Sequence, residues 1–112
     1  MSGEDDPVRR RIAQLVARAE AIVERQEAGA SDGRWAMTAF SRYRLCTLVG
    51  VLPYTQDTTE DDGDALGLLE EAAQAVDDLE VPLEDLTWRL ALGDAIRATA
   101  ASIRVVRDAD DV

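Results

Sequence analysis

The chain has 112 residues, enough for one hydrophobic core but too few for two domains. Hydrophobic residues make up 46% and charged residues 31%, a balance that predicts a folded chain and excludes a disordered one. Its 23 acidic residues outnumber 12 arginines, without lysine or histidine, and the resulting net charge of −11 disfavours nucleic acid and anionic membranes as partners.

The first predicted helix begins at Pro7 and ends near Ala28. Asp6 followed by Pro7 is typical of an N-cap with proline at the first helical position. Apolar residues then recur in steps of four and three, which places them on one face of a helix. They are Val8, Ile12, Leu15, Ala19 and Ile22. Residues 1–6 are expected to form a frayed arm.

The second helix is predicted over about residues 33–51, and we expect it to be the most buried element. Apolar side chains lie on nearly all of its faces, as in a helix surrounded by others. It contains the single cysteine, Cys46, and no acidic residue. Gly50 and the nearby Pro53 end it, since the residue before a proline avoids helical geometry.

Two further helices follow a loop at residues 54–62, which is rich in threonine and aspartate and is the segment where we expect mobility. Helix 3 is predicted from Asp62 or Asp64 to Leu79, and helix 4 from about Pro82, leaving residues 108–112 as a frayed tail. Four helices with short links predict an all-α, antiparallel four-helix bundle that forms one domain over residues 1–112.

Charge is segregated along the chain. Residues 57–85 carry 12 acidic residues and no arginine, directly after a helix whose only charges are arginines. This order predicts a hairpin of helices 2 and 3 in which Arg42 or Arg44 contacts carboxylates of helix 3. A GC-rich genome explains arginine in place of lysine but not the net charge of −11, so we favour adaptation to a salt-rich cytoplasm.

Metal and catalytic chemistry have little support in the sequence. Zinc in its usual environment is excluded by the lack of histidine and the single cysteine, and the acidic loop at 57–64 lacks the ligand spacing of a calcium-binding EF-hand. Cys46 has no histidine to act as its base, so a buried structural thiol is expected. We assign no catalytic residue, cofactor or metal ligand.

One enzymatic alternative remains, a magnesium-dependent nucleotide hydrolase. It would use carboxylate pairs at i and i+3, which share a helix face: Glu24 with Glu27, and Asp77 with Glu80. Both pairs fall off the apolar stripes and are expected to point towards solvent, which counts against this alternative.

Association with a protein is the function that the sequence favours. Trp, Tyr and Arg are enriched in interface hot spots, so we predict that Arg34, Trp35, Arg42, Tyr43 and Arg44 bind a partner. The partner is another protein or a second copy in a homodimer, and the chain is a non-enzymatic accessory or regulatory module. A nucleic-acid-associated regulator that uses Arg34, Arg42 and Arg44 is the alternative, which the net charge disfavours.

The sequence also indicates where the protein works. No apolar run approaches the length that spans a bilayer, and the stretch MSGEDDPVRRR lacks the apolar core of a secretion signal. One cysteine cannot form an internal disulfide, which agrees with a reducing compartment. We therefore expect a cytoplasmic protein that does not contact membranes.

Overall fold

The computed structural model describes residues 7–29, 33–50 and 64–110. They form four α-helices: α1 (Pro7–Gly29), α2 (Ala39–Val49), α3 (Ala65–Asp77) and α4 (Leu86–Asp110). Short 3-10 helices, Arg34–Thr38 and Leu83–Asp85, precede α2 and α4. No strand occurs within these ranges, and the predicted all-α four-helix bundle is confirmed.

Ion pairs across the α3–α4 contact show that these helices run antiparallel. Arg97 of α4 contacts Asp77 of α3 at 3.3 Å, whereas Arg104, two turns further along α4, contacts Glu70 at 3.1 Å. Moving towards the C-terminus of α4 therefore corresponds to moving towards the N-terminus of α3.

The contact of α2 with α4 is antiparallel as well. Leu48 of α2 accepts a hydrogen bond from Trp88, and Arg44, one turn earlier, contacts Asp94. Because α2 and α3 both oppose α4, they run parallel to each other. They make no close backbone contact within the described residues and lie diagonally across the bundle, each packed against α1 and α4.

This arrangement corrects the predicted hairpin of helices 2 and 3. Arg42 contacts Glu20 and Glu27 of α1, and Arg44 contacts Asp94 of α4, so neither arginine contacts α3. Exposed ion pairs contribute only about 0–1 kcal/mol each, whereas burial of apolar area contributes about 25 cal/mol per Å². The placement of the helices therefore follows their apolar faces rather than the charge of their segments.

The hydrophobic core lies between all four helices. The predicted stripe of α1 is buried from Ile12 onwards, while Val8, at its start, is 37% exposed. The buried core residues of the other helices follow the same three- and four-residue steps. They are Ala65, Leu68, Leu69, Ala72 and Val76 in α3, and Leu92, Ala95, Ile96, Ile103 and Val106 in α4.

The prediction that helix 2 is the most buried element needs correction. Met37 and Phe40 are 68% and 83% exposed, and burial in this segment is restricted to the side that bears residues such as Leu45 and Cys46. A helix at one corner of a four-helix bundle has neighbours on only part of its circumference. Apolar residues on its remaining faces therefore stay in contact with solvent.

The ends of the helices agree with the sequence pattern in most places. Asp64 caps α3 by accepting a hydrogen bond from the backbone N–H of Leu66. Gly50 ends α2 in a left-handed conformation, with its N–H donating to the Cys46 carbonyl. Helix α4 continues through Asp110, so residues 108–110 are helical where a frayed tail was expected. The predicted arm at 1–6, the loop at 54–62 and the last two residues lie outside the described ranges.

None of the helices in the described part of the chain combines the length and the apolarity that crossing a membrane requires.

Candidate interaction surface

Arg42 lies inside the bundle, at the contact of α1 and α2. It is 1% exposed, and its Nε and Nη2 donate to the two carboxylate oxygens of Glu20 at 2.9 and 2.8 Å. Nη1 donates to Glu27 Oε2 at 3.2 Å and to Thr38 Oγ1 at 3.1 Å. The side-chain bond from Arg42 to Glu20 is bidentate, the strongest arrangement for this pair of groups.

The electrostatics of this cluster keep Arg42 charged. Burial lowers the pKa of Arg42, but hydrogen bonding to Glu20 and the charges of Glu20 and Glu27 outweigh it, so that the net pKa is raised. In the described part of the chain, no buried side-chain nitrogen or oxygen lacks a hydrogen-bond partner. The cluster is therefore internally satisfied and offers no group to a ligand.

Cys46 lies one turn beyond Arg42, on the same side of α2. Burial and the nearby charge of Glu20 raise the pKa of its thiol to about 12, against the opposing effect of Arg42. The thiol is therefore protonated at neutral pH and is a poor nucleophile. The cavity beside it measures about 10 Å³, which has room for no ligand larger than a water molecule.

The five residues predicted to bind a partner are divided between the interior and the surface. Trp35 is 4% exposed and Arg42 is 1% exposed, so neither side chain lies on the surface. Arg34 is half-buried, while Tyr43 is 38% exposed and the side chain of Arg44 is 44% exposed. The structure thus brings only part of the predicted set to one surface.

Exposed apolar side chains that the sequence did not predict as binding residues occur on α2, on α4 and on the 3-10 helix before α2. Met37 of the 3-10 helix is followed at three-residue intervals by Phe40 and Tyr43 of α2, and Leu90 of α4 is 62% exposed. Leu90 lies one turn before Asp94, the residue that contacts Arg44. We call this set of exposed residues, Met37, Phe40, Tyr43, Arg44 and Leu90, the α2–α4 face.

Exposed large apolar side chains occur mainly on α2, α4 and the 3-10 helices that precede them. Among the large hydrophobic residues that are exposed in the described ranges, only Val8 lies outside α2, α4 and their 3-10 helices. The α1–α3 contact instead carries the exposed ion pair of Arg11 with Glu71.

The two alternative functions gain no site from this geometry. Glu27 contacts Arg42 and Asp77 contacts Arg97, and the residues that the structure describes contain no group of three or more potential metal ligands. Because Arg42 points into the bundle, Arg34, Arg42 and Arg44 form no continuous basic surface for nucleic acid.

The class that the structure defines is a four-helix bundle, whose described residues include exposed apolar side chains on α2 and α4. Comparison with protein-family models, with curated proteins and with solved structures finds no significant match. Any function must therefore be argued from the physical properties of the surface itself.

Proposed function

We propose that the protein is a non-enzymatic helical interaction module that binds a protein partner through the α2–α4 face and works as a small accessory or regulatory subunit. The observation that carries this proposal is the exposure of Phe40, 83%, next to Met37, 68% exposed. Burying a side chain of this size contributes about 1.5–3 kcal/mol, and exposed apolar patches rimmed by polar groups mark interaction sites.

The composition of the face suits a protein partner. Apolar groups lie beside Tyr43 and Arg44, which are residue types enriched in interface hot spots. Arg44 contacts Asp94 at 3.2 Å through an exposed ion pair, which contributes only about 0–1 kcal/mol. Its guanidinium can therefore turn to a carboxylate of the partner at little cost.

A second copy of the chain is the first partner to test. Two molecules with a net charge of −11 repel each other, and they approach most easily through their least acidic surface. Residues 33–50 carry no acidic residue, and of their three arginines Arg34 and Arg44 reach the surface while Arg42 is buried. Association through the α2–α4 face would place these segments next to each other, and salt would screen the remaining repulsion.

Photo-crosslinking from two positions tests this proposal. The photoreactive residue p-benzoylphenylalanine replaces Phe40 in one variant and Leu83 in the other, since Leu83 is 85% exposed but lies in the 3-10 helix before α4. We expect a discrete protein adduct from position 40, either a crosslinked dimer or a larger complex in cells that express the protein. No adduct from position 40, or the same adducts from both positions, would show that the α2–α4 face is not the binding surface.

A further inference from the structure

A second surface feature lies at one end of the bundle, away from Phe40. The first turns of α1, the last turn of α2 and the first turns of α4 enclose a groove of about 550 Å³. This volume falls within the range of small-molecule sites, about 300–1,000 Å³. Its walls are mostly apolar, and the apolar residues that line it are Ile12, Ala13, Leu48, Val49, Trp88 and Leu92.

Trp88 forms a fixed aromatic wall of this groove. Its indole Nε1 donates a hydrogen bond of 3.0 Å to the carbonyl oxygen of Leu48, which joins α4 to the end of α2. The guanidinium of Arg9 lies 4.0 Å from the ring centroid, in a cation–π contact. The groove therefore has an aromatic side chain whose position is set before any ligand binds.

Charge distinguishes the groove from the rest of the molecule. Arg9 and Arg10 line it, and none of the described residues that line it is acidic, although the chain has a net charge of −11. The next arginine, Arg11, contacts Glu71, whereas neither Arg9 nor Arg10 forms an ion pair with a residue in the described ranges. Within the described ranges, two guanidinium groups thus stand at this groove without a carboxylate paired to them.

We propose that this groove binds a small aromatic carboxylate. The apolar ring would pack against the partly exposed Trp88, Leu48 and Val49, and the carboxylate would accept charge-assisted hydrogen bonds from Arg9 and Arg10. The apolar walls select a flat hydrophobic body, and the two arginines select a negative charge over a neutral or positive one. A purely apolar ligand would leave the two arginines without a partner, and a small inorganic anion would leave the apolar walls uncovered.

Titration with a probe and its neutral analogue tests the proposal. The probe is 1-naphthoate and the analogue is 1-naphthalenemethanol, observed through the two indole N–H signals in an NMR spectrum of the 15N-labelled protein. We expect naphthoate to shift the Trp88 signal and leave that of the buried Trp35 in place, and to bind about tenfold more tightly than the alcohol. No shift of Trp88 at about 1 mM naphthoate, or equal affinity for both compounds, would overturn the proposal.

Two variants with the same net charge distinguish binding by the groove arginines from a general effect of net charge on naphthoate affinity. We expect Arg9→Gln/Arg10→Gln to weaken naphthoate binding about tenfold, and Arg97→Gln/Arg104→Gln, which lowers the net charge equally, to change it less than about twofold. Equal losses in both variants would contradict a specific site. If the first variant fails to fold, Arg10→Gln alone serves, because Arg10 is exposed and has no ion-pair partner in the described ranges; its expected loss is about threefold.

Two further measurements distinguish ligand binding in the groove from partner binding at the α2–α4 face. Phe40→Ser should leave naphthoate binding unchanged, since Phe40 does not line the groove. A Trp88 signal that moves with protein concentration in the absence of any probe would show that a second copy occupies the groove, and would overturn the small-molecule assignment.

Discussion

Arg42 and Glu20 are the residues on which the interior of the bundle depends most. Both are buried, so each has lost its hydration and relies on the other for compensation. Such a pair adds little net stability compared with apolar residues of the same size, but removing one partner leaves a buried charge uncompensated. The cluster therefore fixes how α2 docks on α1.

The Arg42–Glu20 pair can be tested by a double-mutant cycle. We expect Arg42→Met to lower the free energy of unfolding by about 3–5 kcal/mol, and Glu20→Leu/Arg42→Met to recover much of that loss. Arg44→Met is the control, since its exposed pair with Asp94 should cost only about 0–1 kcal/mol. Denaturant unfolding measures all of these variants, and a double variant no more stable than Arg42→Met would contradict the assignment of the loss to an unpaired Glu20.

The Cys46 thiol should make stability depend on alkaline pH. Its pKa in the folded protein is about 12, and in the unfolded chain it is ~8.5. Because the unfolded state loses the proton first, the stability contributed below pH ~8.5 is lost as pH rises towards 12, by about 1.4 kcal/mol per pH unit. Cys46→Ala lacks this loss, so the difference in unfolding free energy between wild type and variant should shrink from pH 8 to 11. Parallel pH profiles would show that the thiol does not ionise on unfolding.

At the scale of helices, periodicity predicted the buried face of α1 but not that of α2. In α1, steps of three and four residues keep Ile12, Leu15 and Ala19 on one side, so the pattern itself identifies the inner face. Helix 2 has apolar residues all round, and no single period distinguishes the buried Trp35 from the exposed Phe40. Which of its faces is buried depends on the number of neighbouring helices, which local spacing does not record.

The partner of Arg42 left one signal in the sequence. Glu20 stands within five consecutive buried residues of α1, positions 19–23, where an acidic side chain requires a cationic partner. The charge of each segment predicted a partner for Arg42 in α3 instead, because segment charge carries no information about which helices are neighbours. The diagonal placement of α2 and α3 follows from the contacts of both with α1 and α4, and contacts so distant in sequence cannot be deduced from charge order.

Two glycines should respond oppositely to alanine. At Gly93, inside α4, a Cβ would lie 3.7 Å from Val76 Cγ1 and 3.4 Å from the flexible end of Arg97, so the higher helix propensity of alanine should add about 0.5–1 kcal/mol. At Gly50, φ is +76°, and alanine there should cost about 1–2 kcal/mol. Thermal unfolding should show shifts of about 2 °C or more in opposite directions. Destabilisation by Gly93→Ala would indicate that α3 and α4 pack more closely than the structure shows.

For the whole molecule, the balance between attraction and repulsion of charges decides the response to salt. Exposed ion pairs tie α4 to α3 at Arg97, Arg104 and Arg107, and each contributes about 0–1 kcal/mol. Opposing them is the self-repulsion of a chain with a net charge of −11. Salt weakens both, and the larger of the two determines whether the protein gains or loses stability.

We expect self-repulsion to be the larger effect, so the melting temperature should rise from low to multimolar KCl. The Debye length falls from about 10 Å at 0.1 M to about 3 Å at 1 M, which screens the many long distances between acidic groups. A triple variant removes three exposed carboxylates that form no ion pair in the described ranges: Asp78→Asn/Glu80→Gln/Glu84→Gln. At low salt it should have a higher melting temperature than the wild type, and KCl should raise that temperature by a smaller amount. Thermal melting of both proteins across the same KCl series makes the comparison, and the variant controls for the general salting-out effect of KCl on apolar burial. A wild-type melting temperature that is flat or falls with KCl would mean that the ion pairs outweigh repulsion, and would contradict adaptation to salt.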